Sequence, residues 1–273
     1  MVGRWNAVSS AVFDALLAPL GHEAAWFDLL LWPVLAGVLA LVVYKRVSDQ
    51  KGIARAKGRI AGALYEIRLF RHDPVAVVVA TARALVQNAV YVGHNLLPLA
   101  VLLVPMLAVL AQLEANYAFA PARVGSVQLL EVRLDPKAEV GPRDVVLQVP
   151  EGVALDAPPV RTPDGEIYWR LRAEAAGDHR LVLRMGDETL EKAWAVGGEL
   201  RKVPVKRTKS WEAFLYPGEP ALAADSAARL VALEYPERDL GLLPGGELGI
   251  LALFFGVSLA AGFALKGPLG VTL

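Results

Sequence analysis

Residues 45–73, "KRVSDQKGIARAKGRIAGALYEIRLFRHD", decide how this chain is laid out. The stretch holds eight Lys/Arg against three Asp/Glu and lies between two long apolar runs. Basic residues crowded into a short loop beside a hydrophobic span are retained on the cytoplasmic side. The loop is therefore expected in the cytosol, and everything else takes its side from it.

Moving outward, apolar runs at Trp26–Tyr44, Leu96–Leu113 and Leu248–Leu265 approach the roughly 20 residues needed to cross about 30 Å of hydrocarbon. Each predicts a transmembrane helix. Composition agrees: 55% hydrophobic residues, a mean hydropathy of +0.41 and 21% charged residues are too apolar for a soluble domain and too charged for a bare bundle. The first run continues into Lys45 and Arg46, a stop-transfer flank, so it reads as a retained span rather than a cleaved leader. The expected order is an interfacial amphipathic helix over 1–25, span 26–44, a basic cytoplasmic segment 45–73, a long helix 74–113 containing the second span, and the third span at 247–266. The N-terminus then lies outside and the C-terminus in the cytosol of a bacterial inner membrane.

Within the loop, Ile53, Ile60, Leu64 and Ile67, in places with Ala56 or Ala63, recur at helical spacing among the bases, which predicts an amphipathic helix. "HDP" follows, with Asp73 placed to cap a new helix that begins at Pro74. From Pro74 to Leu113 that helix is about 60 Å long, twice the hydrocarbon thickness. On its early turns Arg83, Gln87, Tyr91, His94 and Asn95 fall on one stripe, continued by Pro98 and Pro105. Polar groups near a membrane core are costly and usually face water or a bundle interior, so these five are candidates to line a cytoplasm-facing groove. The other reading is that they sit in the headgroup region as interfacial side chains. In the third span Gly256, Ser258, Ala260 and Gly262 are candidate helix-packing positions, since small residues four apart allow close approach.

After "NYAFAP" the pattern changes to short alternating segments bounded by Gly, Pro and Asp: "SVQLLEVRLDP", "RDVVLQVP", "GEIYWRLRAE", "GDHRLVLRMGD" and "DETLEKAWAVGG". Over 124–198 they predict an extracytoplasmic antiparallel β-sandwich of immunoglobulin type, with a core of Val132, Leu134, Val146, Trp169, Leu171, Leu181, Leu183, Leu190 and Trp194. Residues 199–246 read as a membrane-proximal linker. Its basic run Lys202–Lys209 is solvated, or meets headgroups or an acidic partner, Trp211–Tyr216 is an interfacial anchor, and "ARLVALEYP" is one further strand. The expected fold class is thus an α+β membrane protein: three transmembrane helices plus an inserted β-sandwich.

Chemistry is sparse. There is no cysteine, which removes disulfides and thiolate sites, and the four histidines stand singly at 22, 72, 94 and 179. No phosphate loop, dinucleotide fingerprint, zinc helix or nucleophile elbow is present. We expect no catalytic residues, no metal site, no cofactor, no nucleic-acid partner and no small-molecule substrate; the expected partners are the lipid bilayer and other membrane-protein subunits.

The order of an outside helix, a span, a basic cytoplasmic helix, a span with a polar mouth and a third span resembles the three-helix core of the YidC-type insertase superfamily. That superfamily includes the insertase subunit of the ER membrane complex and archaeal relatives. The resemblance covers residues 1–113 and 247–273 by topology, and it implies a hydrophilic groove that receives short hydrophobic segments. The chain is also similar to three-span bacterial membrane proteins through "LYEIRLFRHDP" (64–74), "HNLLPLAVLLVPMLAVLAQLEANYAFAP" (94–121) and the terminal "YPERDL" and "FFGVSLAAGFALKGPLGVTL". Two functions follow as expectations: a non-enzymatic structural or partner-binding subunit of a membrane complex, or an insertase or chaperone for hydrophobic segments.

Overall fold

A computed structural model describes residues 10–15, 25–241 and 243–271. It contains four long helices: α1 (Ala25–Val47), α2 (Gln50–Leu69), α3 (Pro74–Tyr117) and α4 (Gly246–Leu265). Between α3 and α4 lie nine strands: β1 (Val127–Leu134), β2 (Val145–Gln148), β3 (Val153–Leu155), β4 (Val160–Arg161), β5 (Glu166–Ala173), β6 (Gly177–Met185), β7 (Glu188–Val196), β8 (Lys206–Thr208) and β9 (Ala228–Leu233). Helices α1, α3 and α4 are each long and apolar enough to cross a membrane, which fits a multi-pass membrane protein. Of the expected N-terminal helix, residues 10–15 are helical and the rest lies outside the described residues.

The chain divides into two compact units: residues 1–29 with 108–253, and residues 30–107 with 254–273. The first holds all nine strands, in two antiparallel sheets. One has the order β3-β5-β1-β9-β8 with β4 also on β5; the other is β2-β6-β7. Leu130, Ile167 and Trp169 from the larger sheet and Leu181, Leu183 and Trp194 from the smaller belong to one buried apolar cluster. Alternation along each strand makes this possible, since a period of two places every second side chain on the same face. The β6–β7 hairpin turns on Gly186–Asp187, and Gly186 has φ +59°, a conformation its missing Cβ permits.

Three expectations for this unit are revised. Val146 is 53% exposed, whereas its neighbours Val145 and Leu147 are buried. The run "VVL" fits either face, and pairing of Val145 with Met185 and Leu147 with Leu183 fixes the frame. Residues 199–246 are more than a linker, because β8 and β9 extend the larger sheet beside β1. Finally, the basic run is engaged rather than solvated. Lys202 donates to Gln112 Oε1 (3.1 Å) and Ser10 Oγ (3.0 Å), Arg207 to the Pro220 carbonyl (2.8 Å) and Lys209 to the Ser226 carbonyl (3.0 Å). Lys209 also pairs with Asp135 and holds that carboxyl below its ordinary value.

In the second unit α2 folds back along the early turns of α3. The turn between them is built as "HDP" predicts: Asp73 Oδ1 accepts from the amides of Val75 (3.0 Å) and Ala76 (3.1 Å), supplying partners to a helix start that lacks them. At the other end of α2, Asp49 Oδ1 accepts from the Gly52 amide (2.9 Å). A small cluster of Leu41, Tyr44, Ile53 and Val271, with Tyr91 and Leu102 against it, ties α1, α2, α3 and the C-terminal tail together. Higher in the bundle α1 meets α4 at Gly37, where a Cβ would stand 2.6 Å from the Ser258 carbonyl oxygen. Ser258 is therefore a packing position. Gly256 and Gly262 have nothing within 4 Å of where a Cβ would sit, and Ala260 is exposed, so none of these three is a close helix contact among the described residues.

Candidate functional site at the helical hairpin

The face of α2 that meets α3 is not the isoleucine stripe alone. Gly52, Ile53, Ala56 and Ala63 are buried, while Leu64 is exposed. Small side chains bring the two backbones close, and long polar side chains on α3 then reach past them. A Cβ at Gly52 would crowd the Asp49 carboxylate first and lie 2.8 Å from His94 Cε1, so a larger residue would displace one of these two side chains.

Four of the five stripe residues of α3 meet α2 or its capping Asp49, and the fifth, Asn95, meets α1. Arg83 Nη1 donates to Glu66 Oε2 at 2.7 Å. Gln87 Oε1 accepts from Arg59 Nη1 at 3.5 Å. Tyr91 carries Lys57 Nζ over its ring, 5.8 Å from the centroid, within cation–π range. His94 Nδ1 lies 3.8 Å from Asp49 Oδ2. Asn95 accepts from the Tyr44 hydroxyl and donates through Nδ2 to the Tyr91 carbonyl at 2.6 Å. The partners on α2 and α1 run in the opposite direction to the stripe, as an antiparallel hairpin requires. The groove is thus spanned by polar contacts that bind the hairpin to itself.

Open space remains toward the turn. A cavity of about 740 Å³ is lined by Arg59, Gly62, Glu66, Leu69, Arg83 and Gln87, and a smaller one of about 140 Å³ by Gly52, Arg55, Ala56, Arg59, Gln87 and His94. Gln87 and Arg59 border both. Electrostatically the region is cationic, with Glu66 and Asp49 as its acids. The Gly52 amide bond, foremost, and the nearby His94 and Arg55 hold the Asp49 carboxyl below its usual range. Such an arrangement can hold an anionic or hydrogen-bonding group by charge. It offers no base beside a nucleophile, and no group of three potential metal ligands exists among the described residues.

Sequence reasoning found the α3 half of this seam and missed the α2 half. Part of the signal was available: once "RHDP" is a turn, α2 must run back along α3, so its polar residues meet the stripe in reverse order, Glu66 at Arg83 and Arg59 at Gln87. Because Asp49 caps α2, replacing it with alanine should cost about 1 kcal/mol of helix stability. Amide hydrogen exchange over residues 50–56 of the full chain in detergent should rise about fivefold, and unchanged exchange would refute the cap.

Comparison with protein-family models, with curated proteins and with solved structures finds no match for this chain.

Proposed function

We propose that this is a multi-pass protein of a bacterial cytoplasmic membrane that works by binding, as a structural subunit of a membrane complex. The basic segment 45–73 supports a cytoplasmic hairpin and an extracytoplasmic β-rich unit, whose two sheets we read as an immunoglobulin-like sandwich. The observation that carries a bracing rather than a chemical role is the pairing of the hairpin's polar groups with one another, Arg83 with Glu66 and Arg59 with Gln87, instead of their convergence on a reacting point. Crosslinking intact membranes and then purifying the tagged chain in mild detergent tests it. A different membrane protein should co-purify in a fixed ratio; a particle holding this chain alone would overturn the reading.

A second reading, an insertase or chaperone for hydrophobic segments, draws on the cavity beside Arg83 and Gln87. A photocrosslinker at position 87 separates the two. Capture of nascent membrane segments favours the second, and capture of α2 or lipid alone favours the first.

A further inference from the structure

The larger of the two cavities on the hairpin is charged on its walls and apolar at its rim. Arg59, Gly62 and Glu66 recur three and four residues apart on α2, and Arg83 and Gln87 stand one turn apart on α3, so both helices turn polar side chains to the same space. Toward the turn Tyr65, Leu69 and Phe70 line it as well, and all three are exposed. The smaller cavity shares Arg59 and Gln87 and adds Arg55 and His94. Together the two linings hold three guanidiniums, Arg55, Arg59 and Arg83, against one carboxylate, Glu66.

The contacts within the hairpin leave most of that positive charge unanswered. A guanidinium offers five N–H donors in a fixed fork. Arg83 gives one to Glu66 at 2.7 Å, Arg59 one to Gln87 at 3.5 Å, and Arg55 one to the Lys51 carbonyl at 3.3 Å. Room is present too, since about 740 Å³ falls within the roughly 300–1,000 Å³ of small-molecule sites. Gly62 keeps the α2 wall low: it forgoes the helix propensity of a larger residue, and a Cβ at that position would meet nothing within 4 Å.

We propose that this cavity holds the phosphate of an anionic phospholipid of the cytoplasmic leaflet, gripped between Arg59 of α2 and Arg83 of α3. Excess positive charge on the lining calls for an anion, and planar guanidinium forks match the paired oxygens of a phosphate. The exposed rim of Tyr65, Leu69 and Phe70 suits the apolar part of the same molecule, which a free phosphate or an acidic peptide lacks. Helix α3 runs on from Gln87 into the apolar span, which carries the site at the bilayer's edge. The basic loop places that edge on the cytoplasmic side, where the membrane surface is negative.

This inference rests on the membrane placement proposed above, and its test separates the two. The full chain is purified from membranes in mild detergent, stripped of lipid and titrated with phosphatidylglycerol or phosphatidylcholine of the same acyl chains, and bound lipid is counted by native mass spectrometry. Expected is a single retained phosphatidylglycerol, preferred tenfold or more over phosphatidylcholine. The preference should vanish in Arg59→Gln/Arg83→Gln and also in Gly62→Leu, which keeps every charge and fills the space. It should persist in Lys51→Gln/Arg68→Gln, which removes the same charge from exposed positions that line neither cavity. Should the arginine pair prove needed for folding, seen as a lowered melting midpoint, Gly62→Leu decides. A chain absent from the membrane fraction overturns the membrane placement itself. A membrane-bound chain that retains both lipids equally, keeps its preference in Gly62→Leu, or gives up phosphatidylglycerol to millimolar inorganic phosphate or to polyglutamate overturns the headgroup site alone.

Discussion

Glu219→Ala will lower the stability of the β-rich unit by about 3–5 kcal/mol. Lys192 points inward from β7 between Leu190 and Trp194 and is fully buried, and its ammonium donates to Glu219 and to the Pro204 carbonyl. Glu219 also accepts from the Ala193 amide at 2.9 Å. Truncation leaves the buried ammonium with only the neutral Pro204 carbonyl and takes the acceptor from the half-buried Ala193 N–H, so the charge's desolvation cost is no longer offset by a counter-ion. Lys192→Met removes the charge along with its need and should cost far less. Urea unfolding of the full chain in detergent, followed through Trp169 and Trp194 fluorescence, checks the pair; a loss below about 1 kcal/mol for Glu219→Ala would refute the argument. Burial pushes the Lys192 amine down to about 8. The unfolded chain, with an ordinary lysine value near 10.4, then binds more protons than the folded one between those limits. Stability should accordingly rise from about pH 8 toward about pH 10, with this group contributing no slope below that window.

Gly37→Val will separate α1 from α4. The added Cβ would meet backbone, the Ser258 carbonyl oxygen at 2.6 Å, and both partners belong to long helices that cannot yield locally. Overpacking of this kind costs about 1–3 kcal/mol, and a β-branched residue enlarges the clash. Within a membrane no hydrophobic drive between helices offsets the loss, because lipid tails solvate the freed surfaces equally well. A thermal melt in detergent should show the midpoint falling by several degrees. Gly262→Val, whose site is open, should leave it unchanged, and equal shifts for both would show that the close crossing is not what holds the helices.

The periodicities read from the sequence located the three long apolar helices, the hairpin turn and six of the nine strands, because each rests on local spacing that the chain must satisfy wherever it packs. What escaped depended on partners distant in sequence. Strands β3 and β4 are too short to display a period, and β8 hides in a basic run whose flanking lysines find hydrogen-bond acceptors in Gln112 and Ser226 and an ion-pair partner in Asp135. Lys192 occupies an inward register position between Leu190 and Trp194, so its burial was legible from alternation; a lysine there reads as an interruption until Glu219 is seen to meet it. The polar stripe on α3 was visible, yet whether it faced water or a neighbour depended on which side of α2 turned inward. Small residues there, Gly52, Ala56 and Ala63, gave the hydrophobic pattern too little weight to show it.

The antiparallel seam between α2 and α3 also constrains how this protein can diverge. Deleting one residue inside α2 rotates the rest of that helix by about 100° and carries Arg59 and Glu66 off the seam together. Descendants of this chain can therefore gain or lose length freely only at the bend around residues 70–73, or by matched changes on both arms. Gaps between homologues should accumulate there, while the arms drift by substitution at constant length.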